Sequence, residues 1–297
     1  MRRRITRTLF AATAAGVTAG ALGLAAAGAA SAAVSKPAVH HVTLGPPIAN
    51  RFAAGYEASG RDFRYITSTI TVPDTSFLTG LYPQEYIQLA AGSLNGVGGG
   101  SSGDAYVRAG IESCIVARTF GATCATGSWV SFVEAFNNSL NGPFFAHYSQ
   151  LSGVEQGDGV NFSIYYDEAG NELHFVITPP STSGPAQFYK TQAYGAIYDH
   201  AAALDDFTDS TGTPIPLPFF LHPFRINQFL QGAITTEHGI RGSFVGPWTT
   251  SLVEATSNGL PYPAGHVRVS PSNLWSDGLS ANGAVRPWDA FGVWARS

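Results

Sequence analysis

The segment Arg64-Tyr65-Ile66-Thr67-Ser68-Thr69-Ile70-Thr71-Val72, which ends at Pro73, decides the fold class of this chain. Its side chains follow a period of two, which places Ile66, Ile70 and Val72 on one face of an extended strand and the threonines on the other. β-Branched and aromatic residues dominate it, as they do in strands. The segment therefore predicts a strand with one buried and one solvated face.

Further runs of the same kind occur along the chain: Tyr86–Leu89, Ala105–Ile111, Trp129–Phe136, Asn161–Tyr166 and Leu173–Thr178. The last two are joined by Glu168-Ala169-Gly170-Asn171, which predicts a hairpin turn because Gly and Asn accept positive φ cheaply. With 34 glycines and 18 prolines, many turns and few long helices are expected. The predicted fold is all-β, with antiparallel strands.

One segment departs from this pattern. Gln192–Leu204 places four apolar residues at helical spacing, namely Tyr194, Ile197, Tyr198 and Ala201, and is followed by Asp205-Asp206. This spacing predicts one short surface helix. The proline-rich and phenylalanine-rich stretch Pro214–Phe224 predicts an extended loop before another β run at Ile226–Thr236.

The first 32 residues have the composition of a secretory signal peptide. Four arginines come first, the alanine-rich stretch Leu9–Ala30 follows, and Ala30-Ser31-Ala32 forms a small-x-small cleavage site. A transmembrane anchor is the alternative, since the stretch is long enough to span a bilayer, but its Ala and Gly content and the cleavage site favour export. We therefore expect a secreted, extracellular protein, with an N-terminal extension at 33–50 and one domain at 51–297.

The charge balance argues against several kinds of partner. Four of the 16 basic residues and none of the 20 acidic residues precede Ala33, so the remainder carries 12 basic and 20 acidic residues and a formal charge of −8. Lysine occurs only at Lys36 and Lys190, and no basic stripe is present. Nucleic acid and, after signal cleavage, membrane surfaces are therefore not expected as partners.

Cys114 and Cys124 are the two cysteines of the chain. In an oxidising compartment they are expected to form one disulfide that closes a short loop. No C-x-x-C motif and no histidine at ligand spacing accompany them, so neither a metal site nor a cofactor is predicted. Glu112, just before Cys114, is expected to be solvated.

Two motifs carry a family resemblance. Ala54-Gly55-Tyr56-Glu57-Ala58-Ser59-Gly60, leading into Thr69-Ile70-Thr71-Val72-Pro73-Asp74, and Ser251-Leu252-Val253-Glu254-Ala255-Thr256 resemble the W-A-G-Y…tWtVP and a-E-w-I-V-E-a-p-t segments of the eqolisins, which are secreted glutamic peptidases. The resemblance spans Phe52 to Asn273 with gaps. It implies a concanavalin A-like jelly-roll β-sandwich and makes 185–225, with the predicted helix, an insertion.

Carried over position by position, the resemblance replaces both catalytic residues. The family's glutamine falls on Arg108 and its catalytic glutamate on Thr250. The family's tryptophan of the cleft becomes Tyr86, whereas two glutamates are retained as Glu134 and Glu254. In such an enzyme the glutamate activates a water and the glutamine stabilises the oxyanion.

Neither replacement can act as the base, because threonine has no accessible basic form and arginine stays protonated. The expectation is thus a glutamic-peptidase-like protein without the family's proteolysis. The alternative is an active secreted acid endopeptidase that uses Glu254 or Glu134 as base and Arg108 as electrophile. A third possibility is that Arg108 only forms an ion pair with one of these carboxylates.

A binding function is the second class that the residues allow. The aromatic side chains Tyr86, Phe132, Phe136 and Trp248 are expected to line a cleft that holds a peptide or protein segment, or a glycan. An arginine among them favours a ligand that carries a carboxylate, such as an acidic peptide or a uronic acid. A monomer is expected.

Overall fold

The computed structural model of the chain describes residues 44–50, 52–73, 80–92, 105–140, 142–194, 197–215, 224–255, 268–271 and 290–296. The predicted signal peptide at 1–32, the first part of the extension, and residues 195–196 and 216–223 of the predicted insertion lie outside them. Within the described residues no helix is long and apolar enough to cross a bilayer, and no three His, Cys, Asp or Glu side chains are grouped as metal ligands.

The described part of the chain is built almost entirely of strands. In chain order these are β1 (Ile48–Asn50), β2 (Ala53–Ser59), β3 (Phe63–Thr71), β4 (Tyr82–Ala91), β5 (Ala105–Ser113), β6 (Trp129–Asn137), β7 (Gly142–Leu151), β8 (Gly159–Asp167), β9 (Glu172–Thr178), β10 (Gln187–Gln192), β11 (His200–Thr208), β12 (Phe224–Thr236), β13 (Arg241–Gly242), β14 (Thr249–Ala255), β15 (Arg268–Pro271) and β16 (Phe291–Arg296). Helix α1 spans Cys114–Thr119, and a 3₁₀ turn spans Asn138–Leu140.

The strands form two sheets that pack face to face. Sheet I has the spatial order β1-β14-β2-β11-β4-β5-β6-β7, and sheet II has the order β10-β9-β8-β3-β12-β16-β15, with β13 paired to β12. Neighbouring strands of the two sheets are antiparallel except for the parallel pair β1–β14. The predicted all-β antiparallel sandwich is confirmed.

The core lies between the inner faces of the two sheets. Strand β3 behaves as its alternation predicts, since Ile66 and Ile70 are buried in this core. From sheet I, Tyr56 meets Phe291 of sheet II edge to face, with ring centroids 5.0 Å apart. Burying one such large side chain contributes about 1.5–3 kcal/mol, so this inter-sheet layer dominates the stability of the fold.

The turn between β8 and β9 also matches its prediction. Asn171 adopts a φ of 49°, and its N–H donates to the carbonyl of Glu168 at 3.2 Å. Asn tolerates this left-handed conformation better than most residues, which explains why the hairpin closes here.

The helix predicted over Gln192–Leu204 is wrong. Residues from His200 to Thr208 instead form β11, which pairs with both β2 and β4 in the centre of sheet I. A central strand buried on both faces reads as a continuous apolar run, so its Ala-Ala-Ala-Leu sequence lacks the alternation that marks a half-buried strand. The segment interpreted as an insertion thus supplies a central strand, and the helix is found at Cys114–Thr119.

The predicted disulfide is confirmed, since Cys114 and Cys124 are bonded. Helix α1 begins at Cys114, and the Oγ of its N-cap residue Ser113 accepts a hydrogen bond from the N–H of Val116. The disulfide thereby joins the start of the helix to the loop that leads into β6, beside the edge of the site described below.

Candidate functional site

Strand β5 presents its side chains to two different environments. Val107, Ala109 and Ile111 enter the core between the sheets, so Arg108 and Glu112 point to the opposite face of sheet I. We call this face the polar face. Its members relevant to function are Gln84, Tyr86 and Gln88 of β4, Arg108 and Glu112 of β5, Phe132 and Glu134 of β6, and Asp206 of β11.

The register of the strands arranges these side chains in cross-strand rows, because paired residues of antiparallel strands lie on the same face. One row runs Glu134-Arg108-Gln88. The next runs Phe132-Gly110-Tyr86-Leu204, and a third runs Glu112-Gln84-Asp206. Residues from four separate strands therefore converge on one patch.

Arg108 forms an ion pair with Glu134. Its Nε donates to Oε2 of the glutamate at 2.7 Å, and the two side chains are 17% and 13% exposed. Burial alone would lower the pKa of Arg108, but the Glu134 carboxylate and the nearby tyrosines outweigh burial and raise it. The guanidinium is therefore a permanent cation, and the ion-pair alternative considered for Arg108 is observed.

Aromatic rings surround this cation. The guanidinium carbon lies 5.3 Å from the ring centroid of Tyr86, 5.4 Å from that of Tyr106 and 5.5 Å from that of Phe132. Contacts of this length are attractive and restrict the orientation of the guanidinium. Phe136 stacks on Tyr106, with centroids 5.0 Å apart, and extends the aromatic surface.

A second polar group lies one row away. Gln84 donates a hydrogen bond from Nε2 to Oε2 of Glu112, its register partner on β5. On the other side of Gln84, Asp206 accepts a hydrogen bond from the hydroxyl of Tyr86 at 3.3 Å. A carboxyl group thus flanks the amide of Gln84 on each side.

These two carboxyl groups hold their protons more strongly than usual. Burial raises the pKa of Glu112 to about 8, although the hydrogen bond from Gln84 and the charge of Arg108 act in the opposite direction. Burial likewise raises the pKa of Asp206 to about 7, against the lowering influence of Arg108. At acidic pH both groups are therefore neutral.

Several polar atoms of the patch are buried without a hydrogen-bond partner. Among the described residues these include Nε2 and Oε1 of Gln88, Oε1 of Glu112 and Oδ1 of Asp206. Leaving such atoms unpaired costs about 1–3 kcal/mol each, so natural proteins retain them mainly where a function requires them. Together with the ion pair of Arg108 and Glu134 on the same face, these unpaired atoms mark the polar face as the candidate functional site.

Two residues predicted for the site lie elsewhere. Thr250 points to the inner face of sheet I, where its Oγ1 donates to the carbonyl of Phe244, a core residue, at 2.8 Å. Glu254 follows four residues later on the same side of β14. The sequence-based interpretation that these two share a face is consistent with the structure, but it is the face opposite Arg108.

The predicted aromatic lining divides in the same way. Tyr86, Phe132 and Phe136 belong to the polar face. Trp248 instead packs in the inner core, where its ring meets Phe63 edge to face at 5.6 Å. Strand β14 joins sheet I on the far side of β2 and β11, so two strands separate it from β4.

Sequence reasoning missed four residues of the patch: Gln84, Gln88, Glu112 and Asp206. Glu112 is 1% exposed, so the prediction that it is solvated is wrong. A signal was present, because Gln84, Tyr86 and Gln88 alternate along β4 and Glu112 continues the alternation of Arg108. Asp206 was missed because its strand was interpreted as a helix.

No family model matches this chain, and no curated protein matches it. Among solved structures, the chain is similar to a scytalido-glutamic peptidase bound to a transition-state analogue inhibitor, with 10% identity, 82% of this chain and 97% of that chain covered, and a TM-score of 0.49. It is also similar to SCP-B, a member of the eqolisin family of peptidases in complex with a tripeptide, with 12% identity, the same coverage and a TM-score of 0.47.

More distant likenesses reach sugar-related proteins. A κ-carrageenase from Pseudoalteromonas carrageenovora in complex with an oligosaccharide is 9% identical, over 55% of this chain and 59% of that chain, with a TM-score of 0.27. Since all of these identities are below 25% and all of these TM-scores are below 0.5, they assign neither an activity nor a substrate to this chain. Its description as an antiparallel β-sandwich rests on its own two sheets.

Proposed function

We propose that this chain is a secreted β-sandwich protein that binds an extended, carboxylate-bearing ligand on the polar face and does not hydrolyse peptides by the glutamic-peptidase mechanism. The observation that supports the proposal most directly is the hydrogen bonding of the Arg108 guanidinium. Among the described residues, its guanidinium donates a hydrogen bond only to Glu134, and only through Nε. Nη1 and Nη2, the two nitrogens that form a bidentate pair with a carboxylate, remain for a ligand.

The surroundings of Arg108 suit such a ligand. Three ring centroids lie 5.3–5.5 Å from the guanidinium carbon and restrict its orientation, so little conformational entropy is lost when a ligand binds. Of the aromatic residues here, Tyr106 and Phe136 are partly exposed and offer apolar surface to the rest of an extended molecule. The unpaired donor and acceptor of Gln88 lie in the same cross-strand row, where they are fully buried.

Proton binding tunes the electrostatics of the patch. Below about pH 7, Asp206 and Glu112 are neutral, so a ligand carboxylate meets the paired Arg108 and Glu134 without further negative charge. As the pH rises through about 7 and then about 8, both groups ionise and repel an anionic ligand. Affinity should therefore be highest between the pKa of the ligand carboxyl, near 4, and neutrality.

Two observations support the absence of family-type catalysis in this proposal. Arg108 is a permanent cation, and Thr250 lies on the other face of the sheet. Export fits the Cys114–Cys124 disulfide, because such bonds persist in oxidising compartments.

The test uses the purified mature protein and two matched pairs of probes. A hexapeptide of glutamate is compared with one of glutamine, and an oligomer of galacturonic acid with one of galactose, by isothermal titration calorimetry. We expect the acidic member of at least one pair to bind more tightly, and the pair that responds identifies peptide or glycan as the source. Equal binding of acidic and neutral probes overturns the proposal.

The matched variants are Arg108→Gln and Arg64→Gln, which remove the same charge from the polar face and from β3 of sheet II. Arg108→Gln should weaken binding of the acidic probe at least about tenfold, the usual loss for one charge-assisted pair. Arg64→Gln should leave it unchanged. Digestion of an acid-denatured protein between about pH 3 and pH 4, resistant to pepstatin, would contradict the absence of proteolysis.

A second candidate function is supported by the contact between Gln84 and Glu112. These are the residue types of the glutamic-peptidase pair, found at other positions and on the same face as Arg108. With a pKa of about 8, the Glu112 carboxyl would donate a proton as a general acid at acidic and neutral pH. Glu134, held beside Arg108, is the carboxylate that would serve as base.

Amide variants separate the two functions. If the chain is a hydrolase, Glu112→Gln and Glu134→Gln should each abolish cleavage of denatured protein, whereas Glu254→Gln, on the inner face, should not. Cleavage that survives both polar-face substitutions would refute this candidate. Ligand binding without cleavage in the unsubstituted protein would favour the binding function.

A further inference from the structure

Glu85 and Asp205 lie on the inner face of sheet I, away from the polar face. They are register partners on the neighbouring strands β4 and β11, which places their Cβ atoms about 5 Å apart on the same side of the sheet. Both side chains are fully buried. None of the carboxyl oxygens of these two residues has a hydrogen-bond partner.

The groups packed around this pair are mainly apolar. In the same cross-strand row, Ile111 of β5 flanks Glu85 and Ala54 of β2 flanks Asp205. Strands β3 and β8 of sheet II pack on β4 and present aromatic and aliphatic side chains to the core. The hydroxyl of Ser68 in β3 is used, since it donates to the carbonyl of Leu230.

Among the described side chains, the other titratable groups near the pair do not supply a positive charge. Asp206 acts on both carboxyl groups from the polar face and disfavours their ionisation. Glu254 of β14 lies on the inner face beyond Ala54, one residue past the registered pair of Val253 and Gly55. Tyr56 contributes a phenol to the inner face of β2. Arg108 points to the opposite face of the sheet.

Ionising both carboxyl groups in these buried, mainly apolar surroundings would have a large free-energy cost. Burial raises the pKa of Glu85, and the charge of Asp205 raises it further. Burial and the charge of Asp206 do the same to Asp205. When at least one proton is retained, the protonated carboxyl can donate its O–H to the other, and the repulsion becomes an attraction.

We propose that Glu85 and Asp205 form a proton-dependent clasp, which holds β4 and β11 together while the pair retains a proton and drives them apart once both carboxyl groups are ionised. The same two strands carry Gln84, Tyr86, Gln88 and Asp206 of the polar face. The clasp therefore makes the assembled site a property of acidic and neutral solutions. The inference does not depend on which ligand the site binds.

The direction of the pH effect follows from proton linkage. The folded protein binds more protons at this pair than the unfolded chain does, so stability is greatest below the ordinary carboxyl range near pH 4 and falls as the pH rises above it. For each proton that the folded pair retains and the unfolded chain has lost, the unfolding equilibrium constant rises about tenfold per pH unit. The clasp predicts that the unfolding equilibrium constant rises about tenfold per pH unit with one retained proton and about a hundredfold per pH unit with two.

The test is urea unfolding from about pH 4.5 to pH 8 of the mature protein, of the double variant Glu85→Gln/Asp205→Asn, and of Glu168→Gln, a control that neutralises an exposed carboxylate in the β8–β9 turn. Per pH unit, the unfolding equilibrium constant of the double variant should rise at least about tenfold less than that of the unsubstituted protein, because its amides do not ionise. The Glu168→Gln control should show the same rise in the unfolding constant as the unsubstituted protein. An equally steep rise in the double variant overturns the clasp.

A second measurement covers the possibility that the double variant does not fold. The carboxyl carbons of Glu85 and Asp205 are followed by ¹³C NMR in the unsubstituted protein. At least one of them should titrate above the ordinary carboxyl range near pH 4, and amide exchange in β4 and β11 should accelerate more than in β8 and β9 as the pair ionises. Titration of both carboxyl groups near pH 4 would overturn the clasp.

Discussion

Arg108 and Glu134 face each other across β5 and β6, and Nε of the arginine lies 2.7 Å from Oε2 of the glutamate. Both side chains are largely removed from solvent, so removing either partner leaves the other as an uncompensated charge. A largely buried pair of this kind differs from a surface salt bridge, which contributes about 0–1 kcal/mol.

The first prediction concerns this pair. Arg108→Gln and Glu134→Gln should each lower the free energy of unfolding by about 1–3 kcal/mol, and the double variant should lose less than the two singles together. Urea denaturation of all four proteins in a double-mutant cycle measures the coupling. Strictly additive losses would show that the contact does not contribute to stability.

The second prediction concerns Glu112. Its raised pKa means that the folded protein retains a proton that the unfolded chain loses near pH 4.5, so stability should fall as the pH rises from there to about 8. Glu112→Gln should reduce this slope by up to about 1.4 kcal/mol per pH unit. Gln84→Leu should raise the pKa of Glu112 further, because the hydrogen bond from Gln84 favours the ionised form. ¹³C NMR of the Glu112 carboxyl measures its pKa in the unsubstituted protein and in Gln84→Leu. An ordinary pKa near 4.5 in either protein would contradict the prediction.

The third prediction separates the two faces of sheet I. Thr250→Val keeps the shape of the side chain and removes the hydrogen bond from Oγ1 to the carbonyl of Phe244. The free energy of unfolding should fall by about 1–2 kcal/mol, while the affinity for an acidic probe should not change, since Thr250 lies opposite the polar face. A selective loss of binding with unchanged stability would place Thr250 in the site.

The fourth prediction concerns the close approach of β4 and β5. A Cβ on Gly110 would lie 2.0 Å from the carbonyl oxygen of Glu85 and 2.8 Å from the Cα of Tyr86, both backbone atoms. Gly110→Ala should therefore cost about 3 kcal/mol or more, at the upper end of overpacking penalties, and should displace Tyr86 from the patch.

Gly159→Ala is the matched control, because a Cβ there meets only the Cγ2 of Thr69, a side-chain atom, at 2.8 Å. Gly159→Ala should lower the stability measured by thermal unfolding clearly less than Gly110→Ala does. Equal losses of stability in the two variants would mean that the close approach of the β4 backbone to Gly110 does not determine the effect of Gly110→Ala.

Several features of the fold could be predicted because their signals are local. The alternation in β3 and the Gly-Asn turn before β9 each identify an element from a few neighbouring residues. The disulfide could be predicted from two cysteines ten residues apart. By contrast, β11 could not be recognised, because a strand covered on both faces loses the alternation that distinguishes strand from helix.

The candidate site could be predicted only in part. Arg108, Glu134, Tyr86 and Phe132 were identified and lie together on the polar face. Thr250 and Glu254 were grouped with them by the family resemblance, yet they lie across the sheet on its inner face. Position along the chain indicates that a residue is in a strand, but the pairing of that strand decides which side chains become its neighbours.

By itself, then, the sequence determined an all-β chain with one disulfide, an excess of acidic over basic residues after residue 32, and an arginine among aromatic and acidic side chains. Only the tertiary structure decided that Gln84, Glu112 and Asp206 join Arg108, and that Glu85 meets Asp205 in the core. The physical reason is that sheet neighbours are far apart in sequence. Moreover, a shift of one residue in register moves every side chain of a strand to the other face.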